Sequence, residues 1–398
     1  MDHRAPTVLD PLRLGALAPI ATPRRTLMAA LAGAGIAWGA LSYVALTIGV
    51  LTDGYHYSLT QAAGLASVEL AFMALASMTG GLMLRRLPVR PLAALGATVA
   101  GCANLATAFS AQPAAVGAAR AVAGLGLGWM AAGLNTSLSR SDEPEQLFIR
   151  ANFGCIAIAA AFFYVMPMIY ERTSQPAYFI AYGALCLAGA AIMRWLPQRA
   201  AAAAELRTPA RGLAAARWMA FLAVSILWLC YAAVWSLIER LGTDIGMSEE
   251  SIGRSMGLGT LSGLLGAGAA AWLAGRVRPL GPLIATSLSS GVCYVWLAYC
   301  RGETEYTWIL CIWGVVFCPI LAYAYAVGTE IDPSGALGRM IGGGTAITTA
   351  LGPVVGAHLK SSFGVRGVGY ATFAGTAIAC AALASIALRR RGDRPSPR

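Results

Sequence analysis

The chain has 398 residues, 58% of them hydrophobic and 12% charged, with a mean hydropathy of +0.64. A water-soluble protein carries about a quarter charged residues, so this composition excludes an ordinary soluble enzyme and indicates an integral membrane protein. The net charge of +11 does not indicate a nucleic-acid partner, because the basic residues lie between apolar runs instead of clustering on one soluble face.

Residues 1–25 are polar, Pro-rich and Arg-bearing, unlike a cleavable leader, and read as an N-terminal tail. Apolar runs of about 20 residues, the length that crosses a bilayer, then recur twelve times. They fall near 26–50, 60–84, 91–110, 113–138, 148–170, 176–196, 217–239, 251–274, 279–299, 306–328, 340–362 and 367–388. The sequence therefore predicts an all-α polytopic membrane protein of twelve spans. Residues 26–196 and 217–388 form two six-helix units, 197–216 is a basic, Ala-rich linker, and 389–398 is a basic tail. Of the 29 Lys and Arg, 22 fall in the tails and in loops on the same side, and six in loops on the other, so both termini are expected to be cytoplasmic. A bacterial-type inner membrane is the expected location.

The two units are related. Glu143, Pro144, Arg150, Gly154, Ala157, Ile158 and Ala161 precede Asp332, Pro333, Arg339, Gly343, Ala346, Ile347 and Ala350 by 189 positions. Val-Arg-Pro-Leu occurs at Val89–Leu92 and again at Val277–Leu280, 188 positions later. Two matches of nearly equal offset, in equivalent inner loops, indicate a six-helix unit duplicated in the same orientation.

Twelve spans in two parallel halves joined by a long basic loop resemble the major facilitator superfamily of secondary transporters. The loop after span two resembles that family's Gly-x-x-x-Asp-Arg/Lys-x-Gly-x-Arg/Lys-Arg/Lys signature through Gly80, Arg85 and Arg90, with Leu84 at the Asp position and Leu87 at the second Gly. Its counterpart in the second half offers Gly268, Gly275 and Arg278, with Trp272 at the Asp position. Arg120, Gly124, Gly126 and Gly128 resemble the helix-four Arg-x-x-x-Gly-x-Gly signature. The resemblance implies alternating access, with Gly80, Arg85, Arg90, Arg150, Gly268, Arg278 and Arg339 as loop and gating positions. With Leu84 in place of the latch carboxylate, Arg339 is expected to meet Asp332 or lipid phosphate.

Charges deep in a membrane cost about 2.5–3.5 kcal/mol each on insertion scales and are functional candidates. Glu69 and Arg120 lie at similar depth, roughly 10–12 Å below the outer edge of the hydrocarbon core when counted along spans two and four. Both sit on helix faces rich in Ala and Gly, which are packing faces. Two readings stand: a proton-coupling and substrate site in which a solute anion competes for Arg120 and frees Glu69 to protonate, or a static ion pair that braces the bundle. Trp38, Tyr43, Tyr231, Trp235 and Trp313 are candidates for a cavity wall, Gly352 and Pro353 mark a bend in span eleven, and Asp53, Glu239 and Glu330 read as solvated span ends.

The nine cysteines sit in apolar runs without a CxxC pair, and there is no HExxH motif, phosphate loop or nucleophile with a partner, so no catalytic residue, metal or cofactor is expected. The expected function is secondary transport of a small organic solute, biased by Arg120 towards anions or zwitterions. Proton-driven efflux of amphipathic compounds is an alternative, weakened by the absence of a Gly-Pro signature in span five. A transporter-like sensor that does not transport is a second. The expected partners are the solute, a proton and lipid, and the expected form is a monomer. The orientation is tested by thiol labelling: cysteines introduced beside Arg85 and Arg276 should react only from the cytoplasmic side, and one in the loop at Glu249 only from outside.

Overall fold

The computed structural model describes residues 24–139, 141, 144–196, 214–332 and 334–392. The predicted tail before Arg24, residues 197–213 of the linker, the final six residues, and Glu143 and Pro333 of the repeat lie outside them. The described residues form α1 (Arg24–Ala37), α2 (Gly39–Asp53), α3 (Leu59–Met83), α4 (Val89–Ala108), α5 (Pro113–Ser139), α6 (Pro144–Arg172) and α7 (Ala177–Ile192) in the first half. The second half holds α8 (Ala214–Trp235), α9 (Ile238–Asp244), α10 (Glu249–Leu273), α11 (Leu280–Leu297), α12 (Glu303–Phe317), α13 (Ile320–Ile331) and α14 (Ala336–Gly392). Helices satisfy their own backbone groups, which a bilayer interior requires.

The fourteen α-helices of the described residues make twelve spans, because spans one and ten are each broken in two, spans eleven and twelve are merged in α14, and the short α9 follows α8 at the end of span seven. Span one is α1 plus α2, broken at Trp38, where the Tyr43 ring folds over Gly39 and its hydroxyl donates to the Gly35 carbonyl at 3.2 Å. Span ten is α12 plus α13, broken at Pro319, which cannot continue the hydrogen-bond ladder. Spans eleven and twelve are both within α14, which turns at Gly364 (φ 67°), a backbone conformation that glycine adopts without a Cβ penalty. The helix also runs on to Gly392, into the predicted basic tail.

The duplication is visible in local structure. Ser58 caps α3 by accepting from the Gln61 amide at 3.2 Å, and Ser248 caps α10 by accepting from the Ser251 amide at 3.2 Å. Each cap satisfies one of the orphan amides at a helix start. Both follow a turn after the first span of their half.

Small residues set the helix spacing, because lipid supplies no hydrophobic force to press helices together. Gly124 and Gly128 bring α5 against the α3 backbone at Glu69 and Met73, while Gly126 on the opposite side meets α4 at Gly96 and Ala100. In the second half, Gly352 and Gly356 bring α14 against α8 at Ala232 and Ala233. A Cβ added at Gly124 would collide with the Glu69 carbonyl, whereas one at Gly64 meets nothing within 4 Å. Gly124→Ala should therefore cost about 1–3 kcal/mol by overpacking, while Gly64→Ala stays neutral or slightly stabilising, as read by thermal unfolding of the two purified variants.

Candidate functional site

Two separate polar constructions lie between the helices, with an uncharged cavity near them. The first is in the first half. Arg120 on α5 donates from Nη1 to Glu69 Oε2 at 3.2 Å, from Nη2 to Asn104 Oδ1 at 3.0 Å, and from Nη2 and Nε to Thr107 Oγ1 at 2.8 and 3.2 Å. Its guanidinium also packs 4.7 Å from the Phe179 ring centroid. Arg120 is 0% exposed and Glu69 4%. Tyr55 closes this site from the outer side, donating to the Thr107 carbonyl at 2.9 Å and meeting Phe179 edge-on. Glu69 Oε1 is buried and has no hydrogen-bond partner among the described residues.

The cavity lies between the halves and has a volume of about 720 Å³. Its wall runs from mid-span residues such as Val44, Leu70 and Trp235 to Ser77, Asn135, Phe148, Tyr325 and Gly342, close to the ends of their helices on the side from which span one enters. That side is the inner one in the predicted orientation. Aromatic faces dominate the wall: Tyr231 stacks on Phe317 at 3.6 Å between centroids, with Trp228 and Trp235 beside it. Ser42, Ser77, Asn135, Thr345 and Thr349 supply polar atoms, and none of the described residues lining the cavity is charged.

The opposite side, the outer one in the predicted orientation, is sealed by contacts across the halves. Asp53 at the end of α2 receives a bidentate pair from Arg240 on α9 (Nη1 to Oδ1, 2.8 Å, and Nη2 to Oδ2). Gln175 donates to Glu249 at 3.0 Å, Trp235 donates to the Ser42 carbonyl at 3.0 Å, and Gly253 of α10 lies against the Phe163 carbonyl and Pro167 of α6.

The sequence candidates divide accordingly. Glu69 and Arg120 do form an ion pair, yet neither lines the cavity. Trp38, Tyr231, Trp235 and Pro353 do line it. Tyr43 does not: it is wedged at the span-one break and stacks on Phe162 at 4.0 Å. Trp313 also lies outside the lining, packed edge-on behind Tyr231 and Trp235. Gly80 is a packing glycine against Ala132, Gly352 packs on Ala232, and Gly268 faces open space. Arg85, Arg278 and Arg339 are exposed, Arg90 donates to the Leu196 carbonyl, and Arg150 reaches Gln146 at 3.1 Å.

At the latch positions Trp272 is exposed and carries Arg276 over its ring at 4.7 Å. Asp332 does not hold Arg339. It accepts from Arg217 at 3.5 Å, from the Ser334 hydroxyl at 2.6 Å and from the Leu337 amide at 3.2 Å, so it caps the start of α14. Those hydrogen bonds, the Ser334 hydroxyl first, hold its carboxyl below the usual Asp range. Glu239 is a second correction: expected as a solvated span end, it is 3% exposed and bound to Arg240. One sequence signal pointed there, since Asp53 and Arg240 are 187 positions apart, within two residues of the repeat offset. Asn135, near the end of α5, lines the cavity.

The sequence model of the Major Facilitator Superfamily matches residues 26–343. The chain belongs to that superfamily. It is therefore a membrane transporter and not an enzyme, with the twelve-span fold the sequence predicted. Comparison with curated proteins by sequence gives no match. Among solved structures, the nucleoside transporter NupG superposes with a TM-score of 0.74 at 12% identity, covering 91% of this chain and 98% of its own. A bacterial homologue of the human lysosomal transporter Spinster, in an inward-facing and occupied conformation, gives 0.74 at 13% identity, covering 96% and 100%. The human organic anion transporter MFSD10 (TETRAN) gives 0.64 at 15% identity, covering 90% and 99%. At these identities the likeness carries the fold alone.

The geometry of the buried pair sets a stability test. Arg120→Ala leaves Glu69 charged and alone in the interior, so it should lose about 3–5 kcal/mol. Glu69→Gln, which leaves Arg120 with Asn104 and Thr107, should lose less, and a Glu69→Met, Arg120→Leu double variant should recover most of the Arg120→Ala loss in thermal unfolding.

Proposed function

We propose that this transporter moves an uncharged or weakly charged organic solute bearing a flat ring, by alternating access, and that Glu69 links the cycle to a proton. The cavity carries the substrate part of the proposal. Its stacked aromatic faces suit planar groups, its hydroxyl and amide groups suit uncharged hydrogen-bonding partners, and among the described lining residues no cation is available to fix an anion. The bias towards anions depended on a solute reaching Arg120, most of whose donors are occupied and whose guanidinium is closed off by Tyr55 and Phe179. That bias loses its support. Amphipathic cations are the second reading, favoured by the same aromatic faces, which attract cations through their π systems.

The proton-linking role rests on different observations. Glu69 neighbours Leu70, which lines the cavity, and its span packs on α14 of the other half. The free Oε1 offers a site for a proton while Oε2 keeps its contact with Arg120. Loss of the carboxylate charge weakens the tie between α3 and α5, and the glycine contacts along that seam present no side chains to block sliding. A purely structural brace is disfavoured by the duplication. At the repeat offset of 189, Glu69 and Arg120 correspond to Leu258 and Ile309, and the second half folds without a charge pair there.

The test is binding and counterflow with purified protein. Neutral ring compounds, organic anions and amphipathic cations are screened by thermal stabilisation, since binding raises stability by mass action. Neutral ring compounds should stabilise it, with at least tenfold weaker binding in Trp235→Ala and Tyr231→Ala. Glu69→Gln should keep binding and exchange while losing pH-dependent accumulation. Stabilisation by anions alone would overturn the substrate reading, an unchanged pH dependence in Glu69→Gln would overturn the coupling role, and absence of counterflow for a bound compound would favour the sensor.

A further inference from the structure

The outer seal has an unbalanced charge. Asp53 and Glu239 both bind the one guanidinium of Arg240: Nε and Nη2 donate to Glu239 at 2.6 and 2.7 Å, while Nη1 and Nη2 serve Asp53. Two carboxylates therefore share one cation. Among the described residues, the surrounding helices place no second cation in an ion pair with either carboxylate. Lys360 of α14 is taken by Asp244 at 2.6 Å. Glu249 of α10 adds a further carboxylate, with one oxygen on Gln175 and the other buried without a partner. From α6, Tyr170 faces Glu239 and Glu249, and Glu171 faces Glu249. From α12, Tyr306 donates to the Ile238 carbonyl at 2.7 Å and offers no positive charge. Acid is in excess here, in a protein whose net charge is +11.

The position is also particular. Asp53 comes from the first half and both Glu239 and Arg240 from the second, so the cluster exists only while the outer ends are together. Glu239 sits beneath, its side chain 4% exposed, and Asp53 at the rim is 39% exposed, which gives a proton a route from the outer medium. Gly49 of α2 allows the Glu239 carboxylate this close to the first half, since an added Cβ would lie 2.6 Å from its Oε2.

We propose that Glu239, which shares the one guanidinium of Arg240 with Asp53, is a proton-binding site: it holds a proton while the outer side is closed, and returns it to the outer medium when the halves part. Two anions beside one cation in a water-poor seam are costly, and the cost falls on the buried one, Glu239, which is relieved by taking a proton. Parting the halves hydrates Asp53 and leaves Glu239 with Arg240 to itself, so the proton is released. A metal cation fits less well, because both Glu239 oxygens already accept from Arg240 and one also from Thr243 at 3.1 Å. The proton enters and leaves on the same side. The site therefore makes the outer seal sensitive to external pH without carrying a proton across, and acid favours the closed seal. This rests on the alternating-access reading, not on the role given to Glu69.

The test uses the full-length chain with spin labels at two exposed positions, Gln112 in the loop before α5 and Thr304 in the first turn of α12. Distances are measured by pulsed electron resonance from pH 5 to pH 9. In the wild type, the ratio of short to long distances should fall as pH rises, by up to tenfold per pH unit for a single proton. Glu239→Gln should remain short throughout, and Asp53→Asn should do the same. Glu250→Gln, at an exposed carboxylate on the same side, should follow the wild type. A pH-invariant wild type, or a Glu239→Gln variant that still opens with pH, would overturn the proposal. So would closure by sodium added at pH 9, which would assign the missing charge to a cation. Counterflow in the same preparation reports separately on transport, so failure of that reading is distinguishable from failure of this one.

Discussion

Close backbone approach along span four is the constraint on which the rest of the first half depends. Gly124 and Gly128 seat it on span two and Gly126 seats it on span three, and only at that spacing can Arg120 reach Glu69, Asn104 and Thr107 together. A charge buried in a bilayer is tolerable only when nearly every donor is occupied. The glycines are thus the structural condition for the arginine, which is why the two occur as one short run in the sequence.

The protein separates charge from the cavity. Its buried charges lie inside the first bundle, along the outer seal and, as Asp332, at the start of α14, while the described wall of the cavity is aromatic and hydroxylated. An uncharged wall can release what it binds, because no strong ion pair has to be broken at each turnover. The charges act instead on how the helices sit against one another, where a change of one unit charge in a low-dielectric seam is felt strongly.

Duplication supplied the frame and divergence supplied the chemistry. Ser58 and Ser248 still cap equivalent helices, and the ends of spans one and seven still meet at the outer side, now as Asp53 and Arg240. The buried pair is absent from the second half, where Leu258 and Ile309 stand at the corresponding positions. Span ten broke at Pro319, and its counterpart, span four, did not.

The sequence by itself determined the twelve spans, the duplication and the identity of the deep charges, because these follow from apolar run length, spacing along the chain and residue type. It also marked Glu69 and Arg120 as partners through their common depth. Tertiary structure decided which way each side chain points. Tyr43 and Trp313 are as aromatic as Tyr231 and Trp235, yet a helix break turns one inward and a layer of rings hides the other. It decided that Arg120 is set apart from the cavity, and that Glu239 is a buried member of a seal and not a solvated end. Helical periodicity fixes a residue's face within its own helix, but in a bundle where most faces are covered, what that face meets depends on how two bundles are tilted together. That tilt is set by contacts between residues almost two hundred positions apart.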